Sequence, residues 1–240
     1  MNIKTAGVIA TSCVIILGII MVSPVFLHPE PRHMILLLFS IENEQNLPSW
    51  CSETFSILKK HNAGAAIFIS GSTAEQFPSC ASSLPNNVEV GSQGYNYVDI
   101  PAIPDYTKQL EEIKKGKETV DRISGLDSKL FRAPYGKTDS NVYSLLSRTG
   151  ILADFSYEGQ YNKFYQDKFI WFKVQSYKAE DFDPSVIGPV TDRSTPIIVT
   201  FSNSMQPQEI DQILTELKAK KTDFVSPSKL VGIELQGGRA

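Results

Sequence analysis

Short apolar runs alternate with amphipathic stretches along most of this 240-residue chain. Met34 to Ile41 (MILLLFSI) is nearly continuous in apolar residues, as in a parallel strand buried on both faces. Ser52 to His61 predicts a helix stopped by Asn62 and Gly64. Strands follow at Ala65 to Ser70 and Val88 to Gln93, the latter entered from the turn signal Pro85-Asn86-Asn87. From Asp105 to Ser124, Tyr106, Leu110, Ile113, Val120 and Ile123 recur at helical spacing and predict a long amphipathic helix. Beyond it the pattern predicts strands at Leu130 to Pro134, Ile151 to Tyr157, Phe169 to Val174, Pro196 to Phe201 and Asp223 to Val225. Helices are expected at Asn141 to Arg148 and Gln208 to Lys220. Repeated strand–helix units give an α/β fold with a mainly parallel sheet or barrel covered by helices, and periodicity alone does not choose between the two.

The N-terminus departs from that pattern. Thr5 to Leu27 carries no charge. As a helix it would be about 34 Å long, enough to cross a bilayer core of about 30 Å. A cleavable signal peptide has a shorter apolar stretch ended by small residues, whereas here Val22-Ser23 is followed at once by Pro24. The expectation is an uncleaved single-pass membrane anchor with a short stalk, residues 1–32. The rest, residues 33–240, would form one extracytoplasmic domain large enough for its own core. Two prolines in HPEPRH favour an extended stalk.

Cys51 and Cys80 are the only cysteines outside the apolar segment. Two readings stand for them, a disulfide formed in an oxidising compartment or two buried thiols. The net charge is −3, and the lysine clusters lie on helical stretches with acids nearby, so no nucleic-acid footprint is present.

The chemistry-bearing segments are LLFSIEN (Leu37 to Asn43), AAIFISG (Ala65 to Gly71), VEVGSQGYNY (Val88 to Tyr97), FRAPYG (Phe131 to Gly136) and PIIVTFSN (Pro196 to Asn203). In this order they resemble the NodB-type polysaccharide deacetylases, carbohydrate esterase family 4, across nearly the whole of residues 33–240. The resemblance implies a distorted (β/α) barrel. It also implies an aspartate and two histidines on a divalent metal such as zinc, a second aspartate as general base, and a late histidine as acid. Carried over by position, Ser40 stands for the base and Ile41 for the metal-binding aspartate. Gln93 and Tyr97 stand for the histidine ligands, and Phe201 falls at or beside the acid. Arg132, Pro134 and Tyr135 are retained, while Glu158 and Tyr161 stand for the acid and aromatic of the fourth motif.

The chain has only three histidines, His28, His33 and His61, none at a motif position. Arg132 would then be a structural cation satisfied by Asp154 or Glu158, and Tyr135 a loop aromatic. Glu42, Glu44 and Asp99 are the donors from which a rearranged metal site could be built. Trp50, Tyr95, Tyr97, Tyr157, Tyr161, Phe164 and Tyr165 supply aromatic faces of the kind that stack on sugar rings. The leading expectation is a deacetylase-like protein without metal or cofactor. It would bind cell-surface polysaccharide through Arg132, Tyr135, Gln93, Tyr95, Tyr97, Glu158 and Tyr161. The alternatives are an active amide hydrolase with a rearranged metal site, and a structural partner of another membrane protein.

Overall fold

A computed structural model of the chain describes residues 32–44, 46–165, 168–188 and 196–232, with backbone alone at 165, 168 and 169. The expected membrane segment lies outside the described residues, and among those described no helix is long and apolar enough to cross a membrane.

Among the described residues ten strands form one sheet: β1 (His33–Ile41), β2 (Ala65–Ile69), β3 (Val88–Ser92), β4 (Leu130–Phe131), β5 (Ala153–Asp154), β6 (Gln160–Tyr165), β7 (Lys168–Lys173), β8 (Gln175–Lys178), β9 (Ile197–Ser202) and β10 (Thr222–Phe224). The described residues also form α-helices, α1 (Leu47–His61), α2 (Gly71–Gln76), α3 (Ser79–Ser82), α4 (Tyr106–Ser124), α5 (Ser140–Arg148), α6 (Pro207–Ala219) and α7 (Pro227–Val231). Strand order is β7-β6-β5-β4-β3-β2-β1-β9-β8, with β10 paired to the start of β1. Every pairing is parallel except those of β6, which runs antiparallel to β5 and β7. The two end strands, β7 and β8, are consecutive in the chain, separated by Val174 alone. One run of backbone therefore borders both edges, and the sheet nearly closes into a barrel.

The twofold alternation of side chains along each strand sorts the core. Leu36 and Leu38 point inward with Ala66, Phe68, Leu130, Ala153, Phe155, Tyr161 and Ile198. Ile35, Leu37, Phe39 and Ile41 point outward with Ile67, Ile69, Val199 and Phe201, and pack on Phe55 and Leu58 of α1 and Leu214 of α6. β1 has to be apolar at both parities, which explains its unbroken run. Cys51 of α1 and Cys80 of α3 are joined in a disulfide with Cα atoms 5.5 Å apart, which decides between the two readings of these cysteines.

Several elements differ from the sequence pattern. The strand expected over 151–157 is only Ala153–Asp154, because Phe155 onward turns to carry loop residues over the barrel mouth. β6 and β8 are amphipathic and polar-rich, QYNKFY and QSYK, and carry little periodic signal. α1 begins at Leu47 rather than Ser52, since Pro48 in its first turn needs no amide partner. On α4, Tyr106 is 40% exposed, and the inner face is instead Ile113, Gly116 and Val120.

Candidate functional site

Parallel barrels present their chemistry at the carboxyl ends of the strands. Here that end holds a cleft of about 470 Å³ whose lining includes Ser40, Glu42, Gln93, Tyr97, Arg132, Tyr135, Ser156, Tyr157, Glu158, Lys178, Glu180, Thr200, Phe201 and Ser202. The structure thus gathers five of the seven expected binding residues: Gln93, Tyr97, Arg132, Tyr135 and Glu158.

β1 delivers Ser40 inward and Ile41 outward, where Ile41 is fully buried in the outer core. Just past the strand, Glu42 is clasped to the loop after β9. Its N–H donates to Asn203 Oδ1 at 2.8 Å, and Asn203 Nδ2 donates back to its carbonyl at 3.2 Å. The same alternation turns the Phe201 side chain outward, so of the two places expected for the acid, at or beside Phe201, the cleft-facing side chains are those beside it. The Phe201 ring stacks on Phe39 at 4.6 Å in the outer core, and the side chains turned to the cleft are those of Thr200 and Ser202.

Gln93 follows β3 and is 1% exposed. With its amide oriented to match its neighbours, Nε2 donates to Phe68 O at 2.7 Å and Ile41 O at 3.2 Å. The side chain therefore ties β3 to β2 and β1. The next residues turn sharply. Gly94 lies at φ 79° and packs on Gly116 of α4, where a Cβ would meet the Gly94 carbonyl carbon at 2.2 Å. Glu112 Oε1 accepts the amides of Tyr95 at 2.7 Å and Asn96 at 2.5 Å. This carboxylate and this glycine position the loop, and sequence reasoning missed both, since each sits on a helix whose pattern signals only amphipathicity.

The turn sends Tyr95 and Tyr97 apart. Tyr95 leaves the cleft: its hydroxyl donates to Glu75 at 2.9 Å, and Lys115 Nζ sits 3.5 Å from the centre of its ring. Tyr97 enters it at φ 55° and donates to Glu42 Oε1 at 3.0 Å. Burial, and then the negative charge of Glu42, push the Tyr97 phenol well above its ordinary pKa, so it remains a donor.

FRAPYG forms the opposite wall. Arg132 Nη1 donates to Phe155 O at 2.5 Å. Burial lowers its pKa, and the negative charge of Asp154 works against that. Neither acid pairs with it within ion-pair distance: Glu158 faces Lys178 at 3.7 Å, and Asp154 lies beneath the loop. Asp154 is 0% exposed and accepts from the Ser156 amide (3.2 Å), the Ser156 hydroxyl and Asn162 Nδ2 (3.1 Å). Burial raises its pKa to about 6 despite those bonds. Ser156 Oγ in turn accepts the Ala133 amide at 2.7 Å, which fixes the loop.

Tyr135 sits at φ 58°, is 63% exposed, and meets Tyr97 edge-to-face with ring centres 5.2 Å apart. Two non-glycine residues in left-handed backbone, each costing on the order of 1–2 kcal/mol, therefore share the cleft mouth. Tyr161, by contrast, is a barrel-interior residue stacked between Phe155 (5.8 Å) and Phe172 (4.9 Å). Trp50 is likewise core, its indole N–H donating to Met205 O.

A family model for polysaccharide deacetylase matches residues 28–153, more than half of the 240 residues. The chain belongs to the polysaccharide deacetylase family. A peptidoglycan-N-acetylglucosamine deacetylase of Bacillus cereus is 31% identical over 85 residues, which is 35% of this chain and only 30% of that relative's length. Among solved structures, the fold resembles the peptidoglycan deacetylase PdaC of Bacillus subtilis (TM-score 0.60, 17% identity, covering 83% of this chain and 90% of that one). It also resembles a pseudoenzyme of carbohydrate esterase family 4 from Bacillus anthracis (TM-score 0.62, 16% identity, 83% and 66%). At these identities the structural likeness concerns the fold.

Deacetylases of this family generally use a divalent metal, and the donors of this cleft do not fit one. Gln93 turns its amide to strand carbonyls, and the Tyr97 phenol holds its proton against Glu42. Of the three acids from which a rearranged site could be built, only Glu42 lines the cleft. Glu44 borders a separate depression beside α1, and Asp99 pairs with Lys137 at 2.5 Å. His33 sits at the opposite end of β1, and His61 closes α1 against Asp211 at 2.6 Å. Among the described residues no three of His, Cys, Asp and Glu converge.

Proposed function

We propose that this polysaccharide deacetylase family member is a glycan-binding protein that does not perform metal-dependent deacetylation. In this reading residues 5–27 hold it in a membrane, with the barrel on the extracytoplasmic side. The observation that carries the reading is the exchange of roles at one place. The positions matched to metal ligands are occupied by an amide that clamps strands and a phenol bonded to Glu42, beside two tyrosines in left-handed backbone. Strained backbone persists where the surrounding structure enforces it, and it clusters at binding sites. Tyr97 and Tyr135 offer ring faces for the C–H surface of a sugar. Glu42, Glu158, Glu180, Arg132 and Lys178 offer polar partners to its hydroxyls. The Cys51–Cys80 disulfide supports an oxidising compartment.

The test is calorimetric titration of the full chain with N-acetylglucosamine oligomers and peptidoglycan fragments, together with an acetate-release assay. Saturable binding without acetate release is expected. Metal-dependent acetate release, or no binding to any such glycan, would overturn the reading.

A further inference from the structure

The cleft at the carboxyl ends of the strands is charged unevenly. Its lining carries three carboxylates, Glu42, Glu158 and Glu180, against two cations, Arg132 and Lys178. Neither cation is left to balance the other two acids. Arg132 donates to Phe155 O and is countered by the buried Asp154 carboxylate. Lys178 faces Glu158 at 3.7 Å. Glu42 and Glu180 have no cation within ion-pair distance among the described residues, and each is held there by one neutral hydroxyl.

The strand order brings these two acids to one place. β9 lies between β1 and β8. Ser40 of β1 is level with Ser202 of β9, and Lys178 of β8 is level with Thr200. Glu42 and Glu180, each two residues further on, leave from the two strands that flank the end of β9. Two strand spacings are about 10 Å, which a pair of glutamate side chains can bridge with one small group between them.

This side of the cleft offers acceptors. The Tyr97 hydroxyl donates to Glu42 Oε1 at 3.0 Å, and the Ser202 hydroxyl donates to Glu180 Oε1 at 3.0 Å. Gln93, 1% exposed, turns Nε2 to Phe68 O and Ile41 O, so the atom its side chain has left for a ligand is an oxygen. Two carboxylates and an amide oxygen are complemented by positive charge and several N–H donors. An ammonium group has three such donors and no acceptor. An acetamide is neutral, has one N–H, and sets its own carbonyl oxygen against the carboxylates.

We infer that the cleft prefers a glycan whose amino sugar carries a free amine over its N-acetylated counterpart, with the ammonium held between Glu42 and Glu180. The inference rests on the glycan-binding reading above and names the class of sugar within it. Both carboxylates are exposed, so water and salt screen each pair and the preference is modest, about fivefold in affinity at low salt.

The test is calorimetric titration of the full chain with glucosamine and N-acetylglucosamine oligomers of equal length, at a mildly acidic pH where amino sugars are charged. The glucosamine oligomer should bind about fivefold more tightly, and the ratio should fall toward one as salt is raised. The ratio should also fall toward one in Glu42→Gln/Glu180→Gln. It should persist in Glu53→Gln/Glu111→Gln, which makes the same change of charge outside the cleft lining. Circular dichroism checks that both variants fold, and the salt dependence of the wild type needs no variant. Equal affinity for the two oligomers, tighter binding of the acetylated one, or a preference that survives loss of both carboxylates would overturn the inference and leave the glycan reading intact. Binding of neither oligomer would overturn that reading as well.

Discussion

Replacing Gln93 by glutamate is nearly isosteric and reverses what the side chain can offer. In the native chain Nε2 donates to Phe68 O and Ile41 O from a position 1% exposed to solvent. An ionised carboxylate donates nothing, and it sets a negative charge against two carbonyl oxygens. Losing two buried hydrogen bonds costs about 2 kcal/mol, and desolvating the charge adds at least about 1 kcal/mol. The expected loss at neutral pH is therefore ~3 kcal/mol. With a urea dependence of ~2 kcal/mol/M, that moves the unfolding midpoint down by about 1.5 M. The sign with pH follows from linkage. Burial raises the new carboxyl's pKa in the folded state, so folding favours the protonated form, which can again donate one hydrogen bond. The penalty should shrink toward acidic pH and grow as pH rises through that folded value. Equilibrium urea unfolding of both proteins at several pH values is the assay. A variant as stable as wild type at neutral pH, or one stabilised by added zinc, would refute the strand-clamp role and restore a ligand role to this position.

Four further outcomes follow from the same structure. Tyr135→Ala removes the exposed ring of the cleft pair and should weaken glycan binding roughly fivefold, about 1 kcal/mol, in calorimetric titration without a change in unfolding midpoint. Gly116→Ala puts a Cβ 2.2 Å from the Gly94 carbonyl carbon, so it should displace the Tyr97 loop, lower stability and weaken binding together. Replacing Cys51 and Cys80 by alanine opens a crosslink with a sequence separation of 29 and should cost about 3–4 kcal/mol, read by urea unfolding against the oxidised protein. Asp154 has a folded pKa of about 6 against an ordinary 3.8. The folded state thus holds this proton more tightly than the unfolded chain, and stability should fall by ~3 kcal/mol for this group as pH rises from about 4 to about 6. In Asp154→Asn this group's share of that slope should disappear while the share of Glu89, whose pKa burial also raises, remains, and an unchanged slope would contradict it.

Much of the barrel was legible in the sequence because its strongest signals are local. The apolar run of β1 reports burial on both faces, and FRAPYG and VEVGSQ mark the ends of β4 and β3. What failed did so for physical reasons. β4 and β5 are two residues each, too short for periodicity, and β6 to β8 combine polar residues with a change of pairing partner at Val174. At the site, position-by-position transfer left the acid either at Phe201 or beside it. Alternation along PIIVTF already puts Ile198, Thr200 and Ser202 on one face and Phe201 on the other. Tyr95 and Tyr97 share a parity in the sequence, but Gly94 and the Glu112 carboxylate break the strand before them and send the rings in different directions. The role of Gln93 depends on carbonyls of two other strands, which no linear pattern records.

Elemental mass spectrometry of the full chain, purified without a histidine tag and dialysed after exposure to zinc, cobalt, nickel and manganese, addresses the central claim most directly. Metal at background level is predicted, equal in wild type and Glu42→Gln. About one metal per chain, lost on changing Glu42, would contradict the claim that this cleft has exchanged its metal for a binding role.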